Sequence, residues 1–542
     1  DRTHYFLAYE GNFQDLETRV NFNPPTGLPA LADSLLSGEG LYGQPLRSHL
    51  FFGRLDHQLR DDQTLMLSVN VRNDRDDRDF GGGRTEEGRN RIDNDVNTVL
   101  VRHTWNAAPF INEAQVSVQR FRWAQTPSRF GDPQVEFPQY GITRGANRSY
   151  QDFTQDRLAL RNDLTWTRGR HILKGGVGID FLRYDIDKRL DETPVFRFRT
   201  DNPCGLSCPY EATVQIGDPD LETTNQQLGA YIQDDWQATS RLVLNLGVRW
   251  DFETDQLNNE FATPRYAQDS VRAFLQNFPF FDADDYITSG VEDRPRFYGA
   301  FQPRVGFSYD FTGDARTVVF GGAGLFYDRN NYNAILDEKY KVQRLNYTFR
   351  FSPGGSVPGT IAWDPSYFSR EGLVGLVESG TFAKPEVWLL ENDTRPPRSV
   401  QASLGLRRML GDVQLSVTGS MTHNYNGLRW MWGHRDPVTG NQQWGANGMS
   451  AILISTDDAE TRYRALLFSV NRPLREEGRW GGGIHYTLSK TETNTFFEED
   501  MFAFDYVRPE DFEWVPGRFD ERHRVSANLV VRLPYRFLVS TV

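Results

Sequence analysis

Apolar and polar residues alternate along many segments of this chain. Between positions 242 and 250 every second residue is Leu, Val or Trp, and most residues between them are small or polar. The same period of two recurs over 65–72, 413–421 and 524–533. Because successive side chains of a strand point to opposite faces, the pattern predicts strands with one apolar and one polar face. Several of these segments reach the roughly 9–11 residues with which a strand crosses a bilayer.

Two kinds of connection join the alternating segments. Short turns are predicted at 61–62, 108–109, 168–170, 238–240, 312–314, 410–412, 475–478 and 534–535. Long polar connections rich in Gly, Pro, Asn and Asp are predicted at 13–45, 187–225, 254–295, 330–396 and 426–461. Short turns on one rim and long loops on the other are typical of outer-membrane barrels, with the turns in the periplasm and the loops outside the cell.

Eight hairpins and one lone strand at 5–9 give about seventeen strands. Barrels of this kind have an even number of strands, so we expect residues 1–542 to be a single barrel domain that is incomplete at both ends. The segment 339–351 also has strand character, but counting it as a spanning strand breaks the up-and-down order. We therefore place it in an extracellular excursion. The predicted fold class is all-β, a transmembrane antiparallel β-barrel.

Composition is compatible with this prediction but does not prove it. The mean hydropathy is −0.59 and 25% of residues are charged, which also suits a soluble β protein. A barrel strand shows only alternate residues to lipid, so low hydropathy is expected for both classes. A soluble multi-blade protein would show sequence repeats of about 40–50 residues, which are not apparent. The net charge of −13 argues against nucleic acid as a partner.

Candidate chemistry is sparse. Cys204 and Cys208 form a C-x-x-x-C pattern without nearby His, which favours a small loop disulfide over a zinc site. Acidic residues alternate with Arg over 73–79. Because Arg would repel a cation and pair with the acids, we interpret this run as a solvated loop. No catalytic signature is recognisable, so we expect no enzyme, no cofactor and no metal.

Six motifs in order resemble the Oar-like TonB-dependent receptors. They are DRTHYFLAYEG at 1–11, YIQDDW at 231–236 with LVLNLGVRWD at 242–251, PRVGFSYD at 303–310 with GAGLFYD at 322–328, YRAL at 463–466, YTLSK at 486–490 and FDERHR at 519–524. Each motif is weak alone, but together they cover nearly the whole chain. The resemblance implies a barrel of about 22 strands around an N-terminal plug, preceded by a carboxypeptidase-regulatory-like domain, with about seventeen of those strands here. The family's gating and TonB-contact residues have no counterpart in this chain.

Two groups of residues are candidates for contact with a solute. The alternation places polar side chains on the face that would line the lumen, at Asn245, Arg249, Gln414, Thr418, Asn528 and Arg532. Aromatic side chains in a long loop could stack on a sugar or peptide, or could pack loops together, at Tyr425, Trp430, Trp432 and Trp444. A wide barrel needs a polar lining whatever it carries, so neither group by itself defines a binding site.

The function implied by the resemblance is energised uptake of a large or scarce solute across the outer membrane of a Gram-negative bacterium. The solute class is an oligosaccharide, a peptide or a chelate. The expected partners are TonB, through the plug, and outer-membrane lipid with lipopolysaccharide. The alternatives are a non-transporting adhesin and a passive pore. A barrel enzyme would need a nucleophile, a base and an orienting group at one rim, which the sequence does not show.

Overall fold

A computed structural model describes residues 2–275, 281–380, 386–436, 438–441, 451–476, 478–495 and 501–541. In chain order, strands β1 to β25 are Thr3–Val20, Gly40–Arg60, Gln63–Arg78, Asn90–Ala107, Phe110–Pro127, Gln134–Phe137, Ile142–Gly145, Ser149–Arg168, His171–Leu190, Val195–Arg197, Glu211–Gly217, Asp220–Trp236, Leu242–Glu253, Ala300–Asp310, Thr317–Tyr327, Arg344–Ser352, Ile361–Ala362, Val387–Leu389, Arg398–Leu410, Val413–Trp432, Ile452–Arg472, Trp480–Thr493, Val515–Pro516, His523–Arg532 and Leu538–Thr541. Helices α1 to α4 are Asp33–Leu36, Arg265–Leu275, Tyr332–Gln343 and Arg370–Glu378.

The alternating segments form one antiparallel meander, which we call the wall. Its order is β1, β2, β3, β4, β5, β8, β9, β12, β13, β14, β15, β19, β20, β21, β22, β24 and β25, each paired with the next. The short strands β18 and β23 add to β21 and β22, which makes a sheet of nineteen strands. The predicted all-β antiparallel fold is confirmed, and the wall contains the seventeen predicted strands. Among the described residues, β1 and β25 each pair with one neighbour only.

The two rims of the wall differ as predicted. All eight predicted short turns join consecutive strands at one rim. The segments at the other rim are long, at 21–39, 79–89, 128–148, 191–219, 254–299, 328–397, 433–451 and 494–522. The predicted loops at 13–45 and 426–461 are shorter than expected. The strands β1 and β2 extend into the first, and β20 and β21 extend into the second. The run 73–79, predicted as a loop, instead lies mostly in β3, where Arg75 pairs with Asp93 of β4 at 2.8 Å.

The two faces of the wall are chemically distinct. One face carries exposed apolar side chains such as Val177, Ile232 and Phe301, and the other carries mainly polar ones. A membrane barrel turns its apolar face to lipid and its polar face to the lumen. We therefore call these the outward and inward faces. None of the helices among the described residues is both long and apolar enough to cross a membrane.

The described residues of the long segments fold over their rim into a structure that we call the loop cap. A second sheet forms there in the order β17, β16, β11, β10, β6 and β7, built from three different loops. Buried side chains such as Phe196, Val214 and Phe349 form one of several apolar clusters in the cap. The predicted excursion at 339–351 is part of this sheet from Arg344 onward, but residues 339–343 end α3 rather than beginning a strand.

Candidate functional site

All six predicted lumen-facing residues lie on the inward face. Asn245 and Arg249 belong to β13, Gln414 and Thr418 to β20, and Asn528 and Arg532 to β24. The three pairs occupy separate strands. Arg532 donates to the carbonyl oxygens of Glu476 and Gly478 in a turn, whereas both members of the β13 pair contact neighbouring side chains. Asn245 Nδ2 donates to Asp235 Oδ1 at 2.6 Å, and Arg249 forms a two-point ion pair with Asp251 at 2.8 and 2.6 Å.

Around Arg249 the inward face carries a dense set of charges, which we call the charged wall. It comprises Arg157, Arg161, Asp163, Asp180, Tyr231, Arg249, Asp251, Glu253, Gln302 and Arg304. These residues come from five neighbouring strands, β8, β9, β12, β13 and β14. The register places Tyr231, Arg249 and Gln302 side by side in one row across three strands. The alternation that predicts the inward face for Arg249 predicts it for the others as well, but no sequence signal marks them as neighbours.

Ion pairs and hydrogen bonds fix most of the charged wall. Arg157 Nη2 lies 2.6 Å from Asp180 Oδ2, and Tyr231 Oη donates to Asp163 Oδ1 at 2.7 Å. Arg304 Nη2 donates to Gln302 Oε1 at 3.1 Å. Glu253 is bound by Arg329, whose Nε lies 2.9 Å from its Oε1. Side chains held in this way keep their positions, so they present a preformed polar surface.

Two arginines of the charged wall keep capacity to bind an anion. Arg304 stacks 4.4 Å over the Phe326 ring and has no carboxylate partner among the described residues. Arg161 has neither a hydrogen bond nor an ion pair within the same residues. Two adjoining hollows of about 270 and 210 Å³ lie against this surface, directly below the base of the loop cap. The arrangement can contact polar or anionic groups that enter from the cap side.

The loop cap is fixed by a buried ion pair between two of its loops. Arg294 of the 254–299 loop and Glu338 of α3 are both completely shielded from solvent. Arg294 also donates to the carbonyl oxygens of Leu257 and Leu390, at 2.9 and 3.0 Å, and to Asn392 Oδ1. A buried charge needs this degree of pairing, so the ion pair adds to the other hydrogen bonds between the two loops, such as that from Asn258 Nδ2 to the carbonyl oxygen of Ile335.

The aromatic residues predicted in a loop lie mostly in a strand. Tyr425, Trp430 and Trp432 belong to β20, which continues into the loop cap. Trp430 is fully buried, with its ring centroid 5.0 Å from that of Trp388, and Trp432 stacks on Phe504 at 4.2 Å. These two therefore pack the cap together, the second of the two roles considered for them. Trp444 lies outside the described residues.

Tyr425 is on the outward face and marks a belt at the cap side of the wall. Its ring stacks on His423 at 3.9 Å, and Arg398 lies 5.5 Å from its centroid. Arg462 covers Trp514 in the same belt at 3.6 Å. Aromatic and basic side chains suit the level of lipid headgroups.

The cysteines pair as expected. Cys204 and Cys208 form a disulfide within the 191–219 loop, with Cα atoms 5.9 Å apart. Among the described residues no group of three or more His, Cys, Asp or Glu side chains has a geometry suited to a metal ion. One cap residue has an unusual proton affinity: burial, together with Asp393, Asp457, Asp458 and Asp285, raises the pKa of Glu391 to about 8.

The family follows from the fold and from the sequence together. The model of the outer membrane beta barrel domain family matches residues 40–538, and the chain belongs to that family. The TonB-dependent transporter Oar of Myxococcus xanthus is similar to it, with 22% identity over 270 residues. That match covers 46% of this chain and 22% of the relative. Both results agree with the resemblance found in the six motifs and with a place in the outer membrane of Gram-negative bacteria.

Solved structures show the same fold. The outer membrane transporter YddB of Escherichia coli has a TM-score of 0.64 at 12% identity, covering 98% of this chain and 59% of that one. A mutant of the ferric enterobactin receptor PfeA of Pseudomonas aeruginosa, in complex with enterobactin, has a TM-score of 0.53 at 13% identity. That alignment covers 97% of this chain and 61% of PfeA. At these identities the likeness establishes the barrel architecture alone.

Proposed function

We propose that this chain is the barrel wall and extracellular capture surface of a TonB-dependent transporter. The observation that carries the proposal is the position of the charged wall. A fixed polar surface with Arg161 and Arg304 still able to bind lies on the inward face, immediately below a folded loop cap. A solute captured by the cap meets this surface next. The proposed solutes are oligosaccharides, peptides or chelates too large or too scarce for simple diffusion.

We also propose the partners of the chain and its domain organisation. Residues 1–542 act as one barrel domain, and TonB acts through a plug inside the barrel. The wall contacts outer-membrane lipid, including lipopolysaccharide. An unpaired strand edge in lipid is very costly, so the outer edges of β1 and β25 must be paired when the protein is in the membrane. The chain acts as a transporter, without catalysis.

Uptake by intact cells tests the function. Cells with the full gene, cells lacking it and cells lacking TonB are given an isotope-labelled mixture of peptides, oligosaccharides and ferric chelates. Uptake of one component that needs both the receptor and TonB, and that stops with a protonophore, supports the proposal. Uptake that needs the receptor but not TonB indicates a passive pore. Receptor-dependent attachment to surfaces without uptake of any component indicates an adhesin, and either result overturns energised transport.

The charged wall is tested in the same assay. Replacing Arg161 and Arg304 together by Gln is expected to slow uptake of an anionic component roughly tenfold, the effect of losing about one charge-assisted hydrogen bond. Arg524→Gln is the matched control, because Arg524 is also on the inward face but on β24. Equal uptake by both variants would remove the charged wall from the solute path.

A further inference from the structure

The outward face of β21 carries two arginines at the ends of its apolar band. The outward positions between Arg464 and Arg472 are Leu466, Phe468 and Val470, all exposed. Residues 464–472 are nine positions of β21, within the roughly 9–11 residues with which a tilted strand crosses the hydrocarbon core of a bilayer. Arg464 therefore lies at the lipid boundary on the loop side, and Arg472 at the boundary on the turn side.

The two arginines differ in their surroundings. Arg472 lies 4.0 Å over the ring of Trp480. Arg464 is exposed and has no hydrogen bond, ion pair or ring contact with any residue that the structure describes. A cation on the lipid-facing side of a membrane protein is expected to have a counter-ion. None of the residues that the structure describes supplies one to Arg464.

Neighbouring charges leave the area around Arg464 positive. Lys490 is directly opposite it on β22, and Arg462 is two residues before it on the same face. Both of these pair with one carboxylate, Glu492, at 2.5 and 3.3 Å. Lys490 and Arg462 thus share one anion, and Arg464 has none among the described residues. An additional anion at this position would be bound by Arg464 and by the remaining donors of Lys490.

An apolar groove of about 630 Å³ begins beside these cations and runs toward the middle of the membrane. Leu404, Met421, Leu466 and Leu488 line it, and Gly419 leaves its floor open. A Cβ atom at Gly419 would lie 3.6 Å from Leu466 Cδ2, an ordinary contact. The groove is therefore open because residue 419 has no side chain.

We propose that this groove and the Arg464–Lys490 pair form a binding site for the phosphorylated lipid of the outer leaflet, lipopolysaccharide. An acyl chain fits the apolar groove, and a headgroup phosphate supplies the missing anion at its loop-side end. Arginine suits phosphate because two of its N–H groups can bind two phosphate oxygens in parallel. Basic pockets at the membrane surface recognise lipid headgroups in this way. The inference rests on the proposed lipid contact of the wall, and it is independent of solute uptake.

Lipid retained by the receptor provides the test. The full-length receptor is extracted from outer membranes and its bound lipopolysaccharide is counted by native mass spectrometry. The double variant Arg464→Gln, Lys490→Gln is expected to lose bound lipid at least about tenfold, as for roughly one charge-assisted hydrogen bond. Gly419→Leu, which fills the groove, is expected to lose it as well. Arg408→Gln is the matched control, since Arg408 is an exposed outward cation at the turn side whose side chain has no ion pair with any described residue.

Three outcomes would overturn the site. The first is equal retention by the double variant and by Arg408→Gln. The second is equal binding of lipid A and its dephosphorylated form to the wild type. The third is retention by Gly419→Leu with displacement by inorganic phosphate, which would mean a simple phosphate site. Heat-modifiable migration in gels verifies that each variant is folded. Solute uptake by the double variant is measured as well. If lipid retention contradicts the site while uptake is unchanged, the lipid site is wrong and the transport proposal stands.

Discussion

Arg294 Nη1 lies 2.7 Å from Glu338 Oε2, and neither side chain has any exposed surface. The pair joins the 254–299 loop to α3 of the 328–397 loop. Removing one partner of a buried ion pair leaves an uncompensated charge, and we expect Glu338→Ala to destabilise the loop cap by about 3–5 kcal/mol. Hydrogen exchange of the amides in α3 measures the change.

The matched control for this prediction is in the same part of the cap. Glu260 pairs with Arg296 at 2.9 Å but is largely exposed, so Glu260→Ala is expected to cost less than about 1 kcal/mol. The double variant Arg294→Met, Glu338→Leu should recover part of the protection, because two apolar side chains leave no charge unpaired but deprive the carbonyl oxygens of Leu257 and Leu390 of their donor. Protection in α3 that is unchanged in Glu338→Ala would show that the pair does not hold the loops together.

The cap should loosen as the pH rises. Burial and nearby carboxylates raise the pKa of Glu391 to about 8 from an ordinary value of 4.5. Between these values the folded cap keeps a proton that the opened cap releases, so the free energy of opening falls with rising pH and levels off above about 8. Hydrogen exchange of residues 386–395 at pH 5 and pH 8.5 measures this. Glu391→Gln should flatten the profile, whereas Gln at the exposed Glu371 of α4 should leave it unchanged.

A glycine in the wall is expected to resist substitution. A Cβ atom at Gly176 would clash with the Asp163 carboxylate and would come within 2.5 Å of Tyr231 Cε1. Because this ring covers the glycine, Gly176→Ala should destabilise the barrel by about 1–3 kcal/mol. Urea unfolding in detergent micelles measures it. The adjacent Gly175→Ala, whose Cβ would lie 3.5 Å from the Tyr231 carbonyl oxygen, should cost less, and equal costs would contradict the role of the ring.

The disulfide should contribute to local stability only. Cross-linking Cys204 to Cys208 closes a very short loop, for which chain entropy predicts a contribution on the order of 2 kcal/mol. Replacing both cysteines by Ser should therefore increase exchange within 191–219 and leave the wall unchanged. Alkylation followed by mass spectrometry should label both thiols only after reduction. Labelling before reduction would mean that the pair is open in the native protein.

The wall could be predicted from sequence because one physical rule governs every strand. Each strand meets lipid on one face and polar surroundings on the other, so its sequence must alternate. The rule fails where a strand leaves the membrane. In β20 the consecutive residues Trp430 and Met431 are both buried, because the cap packs against both faces. The alternation is lost there, and these residues were predicted to lie in a loop.

The candidate site was predictable in part. The alternation along β13 placed Asn245 and Arg249 on the inward face. It could not show that, within the charged wall, Arg161 and Arg304 have no carboxylate partner among the described residues. That depends on the register between strands, which sets which side chains meet. The run 73–79 was misjudged for the same reason, since partners such as Asp93 are distant in sequence and become neighbours only in the paired strands.

The second sheet of the cap limits how this protein can diversify. Its strands come from the loops at 128–148, 191–219 and 328–397, and each strand hydrogen-bonds to a strand from its own or another of these loops. If one loop were replaced by that of a relative, its new strands would not match the hydrogen-bonding pattern of the neighbouring strands. The strands of the other two loops would then lose their partners. Exchange of surface properties between related receptors should therefore involve all three loops as one inherited block, whereas the short turns at the opposite rim can vary one at a time.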